Sequence, residues 1–381
     1  MLLAIAHTAL VWLVKILAWL AAPSWAVWEA AHPGALATAL ALAGVVIVLM
    51  PQRAPLPAAV AVAPWKTVPG ATLSRSQPKF LAVLERCVPR WLGAVLMAPM
   101  LLAAREPVME GEIRLTALDV GQGTAVLVET RQHALLYDAG PAYASGTSAG
   151  GQVIVPFLRA NGVRRLDMLM ISHEDADHAG GARDVLQAVP VAMRHTAAPP
   201  GHPLLPASDA ETWRPCLAGQ NWIWDGVRFE VLHPSIDELS SARLESNARS
   251  CVLRVATAHR SVLLTGDIGE RQELGLIDRV VPEHLRADIL LVPHHGSGTS
   301  SHAAFLRAVR PEVAIFQLGF ANRYRHPRAD VWRRYERAGI ARYRTDETGA
   351  VSIVTRGASH AVTPYRQTDR RYWRDAPPAP R

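Results

Sequence analysis

The stretch Ile171–Gly181, ISHEDADHAGG, gathers His173, Glu174, Asp175, Asp177 and His178 between an apolar run and a pair of glycines. An ordinary strand-to-helix turn needs one capping residue. This one carries a ligand set. His173 and Asp175 lie two apart, so an extended backbone points both to one side. Asp177 and His178 are adjacent and close the turn before Ala179-Gly180-Gly181, whose small size lets the chain come near an ion. The first pair can hold one divalent ion and the second pair another. Asp267 can bridge them, and a histidine of Pro293-His294-His295-Gly296-Ser297 can complete the second. Two such ions share a hydroxide as nucleophile and stabilise the leaving oxygen, which is the chemistry of hydrolysis.

The elements that must position these groups follow from the apolar pattern. EIRLTALDV, AVLVET and HALLYDAG read as three strands from Glu112 onward. GQVIVPFLRANGV reads as a helix stopping at Asn161-Gly162, and LDMLMIS is a continuous apolar strand of the kind buried on both faces. VRFEVLH, SCVLRVA, SVLLTGD, ADILLVPHHG and EVAIFQLG are further strands, with helices after the later ones. Many strands first, then strand–helix alternation, predicts sheets sandwiched between helix layers; no internal repeat is visible. Asp138, the His173–His178 cluster, Asp267 and His294–His295 all stand where these strands end, and open α/β sheets place ligands at such carboxyl ends.

At this point the residues resemble a known family. HEDADHAGG is similar to the metallo-β-lactamase signature H-x-H-x-D-H-x-G-G, with Asp175 in the usual second-histidine position. Together with LDVGQGTAVLVE, LLYDAG, LLTGD and LLVPHHGSGTSS, it resembles the ComEC-type competence branch of that superfamily, five motifs in order over Glu112 to Arg356. The resemblance implies an α/β, four-layered αββα sandwich preceded by transmembrane helices. It places His173 and Asp175 on a first metal, Asp177 and His178 on a second, Asp267 as the bridge, and His295 as a further ligand. His294 is implied as a substrate-phosphate contact, so Asp177, His294 and Asp267 are the expected catalytic residues. Asp138 is expected to order the metal loops. For the remaining metal motif Asn247, in SNARSCVL, is favoured over His233, in VLHPS. The oxygen-rich donor set points to two divalent ions, Mn²⁺ or Zn²⁺. Two departures stand out: Thr124 replaces the aspartate many relatives carry in GQGDA, and the part before the sandwich is short for the many membrane helices of a full-length member. The chain therefore reads as the C-terminal piece of such a protein or a split version.

Composition bounds the rest. The formal net charge of +7 over 381 residues is uneven, because residues 1–105 hold eight Lys/Arg against Glu29 and Glu85. The remainder is nearly neutral, so a pI near 9.7 says little about nucleic acid for the chain as a whole. MLLAIAHTALVWLVKILAWLAA has about the length of one bilayer crossing, interrupted by His7 and Lys15. Gly34–Met50 is a second apolar run, and Trp91–Ala104, containing Pro99, a third. Several runs in succession do not fit a single cleavable signal. Residues 23–33 carry no Lys or Arg whereas 51–90 carry six, so the positive-inside rule puts the Pro-rich longer loop in the cytoplasm. If the third run crosses, everything after Arg105 lies outside. The expected organisation is a membrane region at 1–105 with two to three crossings, a sandwich domain at 106–360, and a disordered tail at 361–381. None of the three cysteines, Cys87, Cys216 and Cys251, forms a C-x-x-C. Cys216 and Cys251 pair in an oxidising compartment or remain free buried thiols.

Residues 323–344 hold eight arginines against Asp330 and Glu336, a run able to track a DNA backbone or to form a solvated helix face. The leading expectation is a nuclease in the bacterial inner membrane, its metal domain on the periplasmic side, degrading one strand of single- or double-stranded DNA beside the channel-forming part of an uptake machinery. The rival readings are a hydrolase of small phosphate esters and a catalytically silent DNA-binding module.

Overall fold

The computed structural model describes residues 2–21, 33–50, 89–102, 105–199, 202, 213–241 and 243–368. The Pro-rich basic loop, Cys87 and residues 369–381 lie outside them. The chain divides into two compact units at residue 105, with Ala160–Gly162 grouping with the first.

In the first unit, three apolar segments form the helices Leu2–Ala21, Ala35–Leu49 and Arg90–Leu101. Leu3–Leu20 is long and apolar enough to cross a membrane by length and composition; the other two helices, at 15 and 12 residues, are shorter than a full crossing. They touch back to back at two glycines. A Cβ on Gly44 would stand 2.5 Å from the Gly93 carbonyl oxygen, and one on Gly93 would stand 2.6 Å from that of Gly44. Small residues permit this backbone approach, as they do between helices in lipid.

The second unit contains two mixed sheets. The first has the order β15-β14-β1-β2-β3-β4-β5-β6, from β1 (Arg114–Ala117), β2 (Val126–Glu129), β3 (Ala134–Tyr137), β4 (Leu166–Ile171), β5 (Val191–Thr196), β6 (Trp213–Pro215), β14 (Val351–Arg356) and β15 (Ser359–Pro364). The second has the order β13-β12-β11-β10-β9-β8-β7, from β7 (Asn221–Trp224), β8 (Val227–His233), β9 (Val252–Ala256), β10 (Ser261–Leu264), β11 (Ile289–Leu291), β12 (Val313–Phe316) and β13 (Ala341–Arg344). Each sheet begins with antiparallel hairpins and then switches to parallel strands, at β3–β4 in the first and at β10–β11 in the second. Short links allow the antiparallel pairs, while the parallel ones need helical crossovers.

Alternation along each strand divides the core into three layers. Leu135 and Tyr137 of β3 and Met168 and Met170 of β4 face inward and meet Phe229, Leu253, Val262, Leu264 and Ile289 of the other sheet. Their neighbours Leu136, Leu169 and Ile171 face outward under the helices Val155–Ala160 and Ala182–Ala188. Leu263, Leu290 and Phe316 do the same under Glu270–Arg279, Ala303–Val309 and Ala329–Arg337. This is the αββα order, and it explains why β4 reads as apolar from Met168 to Ile171: all six of its residues are buried, and the one polar member, Asp167, accepts the Ala134 N–H at 2.9 Å. Burying one such strand pair on both faces contributes several kcal/mol, at about 25 cal/mol per Å² of apolar area.

Six strands went unread in the sequence: β5, β6, β7, β13, β14 and β15. β14 and β15 pair through Arg356↔Ser359 to Val351↔Pro364, and β14 also pairs with β1. The sandwich therefore runs past residue 360, and Tyr365–Thr368 adds a helical turn whose Arg366 donates to Asp119 at 2.7 Å. Cys216, just after β6, and Cys251, just before β9, form a disulfide buried between the sheets, with Cα atoms 6.0 Å apart.

Candidate metal centre

The metal loops leave the strands at one edge of the sandwich, and buried hydrogen bonds fix each of them. Asp138 follows β3 in a left-handed conformation (φ 60°) and is fully buried. Its carboxylate accepts the Ser172 backbone N–H at 2.6 Å, the Ser172 hydroxyl at 2.8 Å and the Nδ1–H of His178 at 2.7 Å. It is thus consumed in ordering the loop. The Nδ1 of His173 contacts the Ser172 hydroxyl at 2.9 Å and that of Ser250 at 3.3 Å. The Nδ1–H of His295 donates to the Gln317 carbonyl at 2.9 Å, and Gln317 is itself tied to the Leu118 and Ala125 carbonyls of the first sheet's side, both at 2.9 Å.

All three histidines therefore share one arrangement. Nδ1 is held from behind, and Nε2, buried and without a hydrogen-bond partner, is aimed into a common space. Fixing one ring nitrogen fixes the tautomer and the direction of the other, as second partners of metal ligands do. Around these nitrogens, His178 Nε2 stands 3.2 Å from Asp267 Oδ1, and His295 Nε2 stands 3.5 Å from both Asp177 Oδ2 and Asp267 Oδ2. His173 Nε2 lies 3.7 Å from Asp175 Oδ2. Two groups of donor atoms each fall within 4.8 Å of one another: His173, His178 and Asp267, and Asp177, His178 and His295. Asp175, nearly half exposed, belongs to neither triplet and meets the centre at His173.

The electrostatics ask for a cation. Burial opposes protonation of His178, yet Asp267 and Asp138 outweigh it and hold its pKa well above the ordinary value. His295 is raised in the same way, against burial, by Asp267 and Asp177. Burial would raise Asp267, but His178 and His295 hold it well below the usual carboxylate range. Asp177 is likewise lowered, against burial, by His295 and His178. Protons on the histidines here offset the carboxylates; a divalent ion offsets them with the histidines neutral and available as ligands. The orphaned nitrogens and the surplus of carboxylates fit a metal group.

The remaining expected residues separate clearly. Asn247 lies at the edge of the centre, its Nδ2 3.4 Å from His294 Nε2 and its Oδ1 buried without a partner. His233 does not join: its Nδ1 meets the Ser250 carbonyl at 2.8 Å and its Nε2 approaches Glu238 at 3.4 Å, so it supports the Ser250 turn. His294 sits farther out than His295, about a quarter exposed, with Nε2 3.8 Å from Asp267 Oδ2. Both histidines have positive φ, 50° and 53°, and Gly296 follows at 81°; left-handed residues in succession are costly and cluster at functional sites. Thr124 is buried, and its N–H donates to the Asp177 carbonyl at 3.0 Å, so the GQGT loop holds the cluster by its backbone. A Cβ at Gly123 would stand 2.3 Å from that same oxygen, which only glycine allows.

Sequence reasoning missed four contributors. Ser172, Ser250 and Gln317 steer the three histidines, and their residue types carry no metal signal. The fourth is His326, whose ring lies 6.0 Å from that of His294 and 5.7 Å from that of Tyr324. Burial, reinforced by His295 and His294, pushes its pKa down to about 4. The only hint was a histidine inside an arginine run.

With this geometry in place, the comparisons are direct. Residues 118–319 match the family model of the metallo-β-lactamase superfamily, and the chain belongs to that superfamily. Within it the chain is of the ComEC type. It is 39% identical over 297 residues to Competence protein ComA of Neisseria gonorrhoeae, covering 77% of this chain and 40% of that protein. It is 34% identical over 241 residues to Recombination protein 2 of Haemophilus influenzae, covering 63% of this chain and 28% of that protein. The chain thus spans well under half the length of these relatives. Among solved structures, Igni18, a metallo hydrolase of Ignicoccus hospitalis KIN4/I, matches 63% of this chain and 98% of its own with a TM-score of 0.42 and 16% identity.

Proposed function

We propose that the chain is a membrane-anchored, metal-dependent phosphodiesterase that degrades one strand of DNA during DNA uptake. The observation that carries this reading is the convergence of three buried, unpartnered Nε2 atoms, of His173, His178 and His295, on the carboxylates of Asp177 and Asp267. A silent binding module has no use for a complete donor set. In this reading His173 and Asp175 would hold one ion, Asp177, His178 and His295 would hold a second, and Asn247 would stand at the edge of the centre beside His294. Asp267 would be shared, its carboxylate lying within 4.8 Å of the His173 and His178 nitrogens and its Oδ2 3.5 Å from His295 Nε2. Divalent cations there, Mn²⁺ or Zn²⁺, would supply Lewis acidity toward a phosphoryl group and an activated water.

The chain's own residues do the rest. Asp138, Ser172, Ser250 and Gln317 hold the ligand rings so that no reorganisation is needed when charge develops, which is where preorganised sites gain most. His294, about a quarter exposed at the rim and backed by Thr299 at 3.3 Å from Nδ1, would contact a phosphate oxygen. DNA as the substrate and uptake as the setting rest on the competence and recombination relatives. The helix Leu2–Ala21 serves as an anchor. The Cys216–Cys251 disulfide supports a periplasmic placement, because disulfides persist in oxidising compartments.

The test is Mn²⁺- or Zn²⁺-dependent cleavage of single- and double-stranded DNA by the purified chain. Cleavage is expected with at least one of these ions and none with chelator. Absence of cleavage with every divalent ion would return the chain to the silent DNA-binding module, and turnover of small phosphate esters alone would favour the second enzyme reading. A C-terminal reporter active only in the cytoplasm would overturn the periplasmic placement.

A further inference from the structure

A groove of about 900 Å³ runs between the helices Ala303–Val309 and Ala329–Arg337, outside the metal centre. Its walls carry Arg307 and Arg310 on one side and Arg334 and Arg337 on the other, with Leu306 and Ile340 buried in its floor. Arg334 and Arg337 are three residues apart on one helix face, while Arg310 stands just past Arg307's helix in a left-handed conformation. One acid, Asp330, lines the groove, and it stands 3.5 Å from Arg334. Arg334 is also occupied structurally, donating to the Ser300 and Ser301 carbonyls. Arg307, Arg310 and Arg337 are exposed and form no ion pair among the described residues, which leaves three guanidinium groups facing one cleft.

We propose that this groove is a second binding site for the phosphate backbone of a nucleic-acid strand, separate from the metal centre. The proposal rests on the DNA reading above. Arginine forks match phosphate oxygens bidentately, and the apolar floor between them suits sugars and base faces. A bilayer surface is flat and cannot enter a cleft between two helices. The seven-residue helix Ala303–Val309 gives the groove a length of about 10 Å, at 1.5 Å per residue. Arg307, Arg310 and Arg337 stand on two walls of this cleft, where each can neutralise a phosphate of a strand lying along it. The groove also joins the metal loop. Arg334 grips the Ser300 and Ser301 carbonyls, and the Ser300 hydroxyl donates at 2.9 Å to the carbonyl of Pro293, the residue before His294. A strand held in the groove is thus led along one loop to the centre.

The test is the salt dependence of binding of a fluorescent oligodeoxythymidylate to the purified full chain, with EDTA present, for wild type and R307A/R310A/R337A. The slope of log K against log salt is expected to fall in magnitude by about 2, at about 0.7 per phosphate, and affinity at 0.1 M salt to drop on the order of 100-fold. Hydrolysis of bis(p-nitrophenyl) phosphate with Mn²⁺ should be unchanged, because the three residues lie outside the metal centre. Should the triple variant fail to fold, each single alanine variant should lower the slope by about 0.7. An unchanged slope overturns the proposal. So does loss of binding to phosphatidylglycerol vesicles with oligonucleotide binding intact. Wild type that hydrolyses the small diester but binds no oligonucleotide overturns the groove and the DNA reading together. An altered slope in a protein that cleaves nothing leaves the groove standing and sinks only the nuclease.

Discussion

In each sheet an antiparallel run gives way to parallel strands, and an aspartate stands just beyond that switch: Asp138 after β3 in the first sheet, Asp267 after β10 in the second. The two have opposite fates. Three donors saturate Asp138, two from Ser172 and one from His178. The carboxylate of Asp267 faces His178, His294 and His295 instead. The loop-holding task is done in the second sheet by Glu273, whose oxygens accept the N–H groups of Ser301 and His302 at 2.5 and 2.6 Å. Each half therefore has one carboxylate spent on holding a loop, and Asp267, the topological match of Asp138, keeps its oxygens toward the histidines. A place at a strand end does not make a ligand; the donors already satisfied there decide it.

The largest expected effect separates the two aspartates. Asp267→Ala should strip metal from both donor groups and lower hydrolysis by at least about 100- to 1,000-fold, the loss typical of one transition-state-stabilising donor. Metal content by mass spectrometry and cleavage rates check it, with circular dichroism showing the sheets intact. Full metal content and undiminished cleavage in Asp267→Ala would refute its shared role. Next comes the link between the halves. Closing 35 residues, the Cys216–Cys251 bridge should contribute about 4 kcal/mol by restricting the unfolded chain, and Cys216→Ser with Cys251→Ser should lose that stability in denaturant titrations. Alkylation of both thiols in protein made in an oxidising compartment would show the bridge absent.

Asp138→Asn should be milder at the metal and different in kind. An amide keeps an acceptor for Ser172, yet its NH₂ opposes the Nδ1–H of His178 and drives that proton to Nε2, where the ion is to sit. Metal affinity should fall about 10- to 100-fold, the usual cost of losing a ligand's supporting partner. Chelator competition measures it. If Asp138→Asn empties the centre as fully as Asp267→Ala does, the contrast between the two residues collapses.

What the sequence disclosed, and what it hid, follows the same line. His173, Asp177, His178, Asp267 and His295, which the structure gathers within two donor groups, were visible as candidates because few residue types bind divalent ions and each follows an apolar strand; Asp175, read with them, joins neither group. β4 and β10 were legible because strands buried on both faces are largely apolar, with Asp167 and Ser261 the only polar members of these two. β13 was not: ARYR is partly exposed and sits inside an arginine run that reads as helix, although the helix ends at Arg337 and the strand begins at Ala341. β15, exposed at every second residue up to Thr363, looks like a tail until its pairing with β14 is seen. Ser172, Ser250, Gln317 and Glu273 act through their neighbours, and nothing local marks them.

The smallest effect tests the claim that Glu273 stands in for Asp138. Burial pushes its carboxyl up to about 7 from an ordinary 4.5, against the pull of the His302 and Ser301 N–H groups. Between those two values the folded state holds a proton that the unfolded chain has released. The associated stability is complete below about pH 4.5 and is lost as pH rises through about 7. The slope in that window should approach 1.4 kcal/mol per pH unit, the ceiling for one proton. Glu273→Gln should remove this slope and cost some stability at pH 5, where the wild-type carboxyl is protonated, because an amide cannot accept both N–H groups. Thermal unfolding at pH 5, 6 and 7 for both proteins reads the difference. Parallel pH profiles would assign the titration to another group, and an unmoved His294–His302 loop in the variant would show that the second half holds its metal loop without a carboxylate.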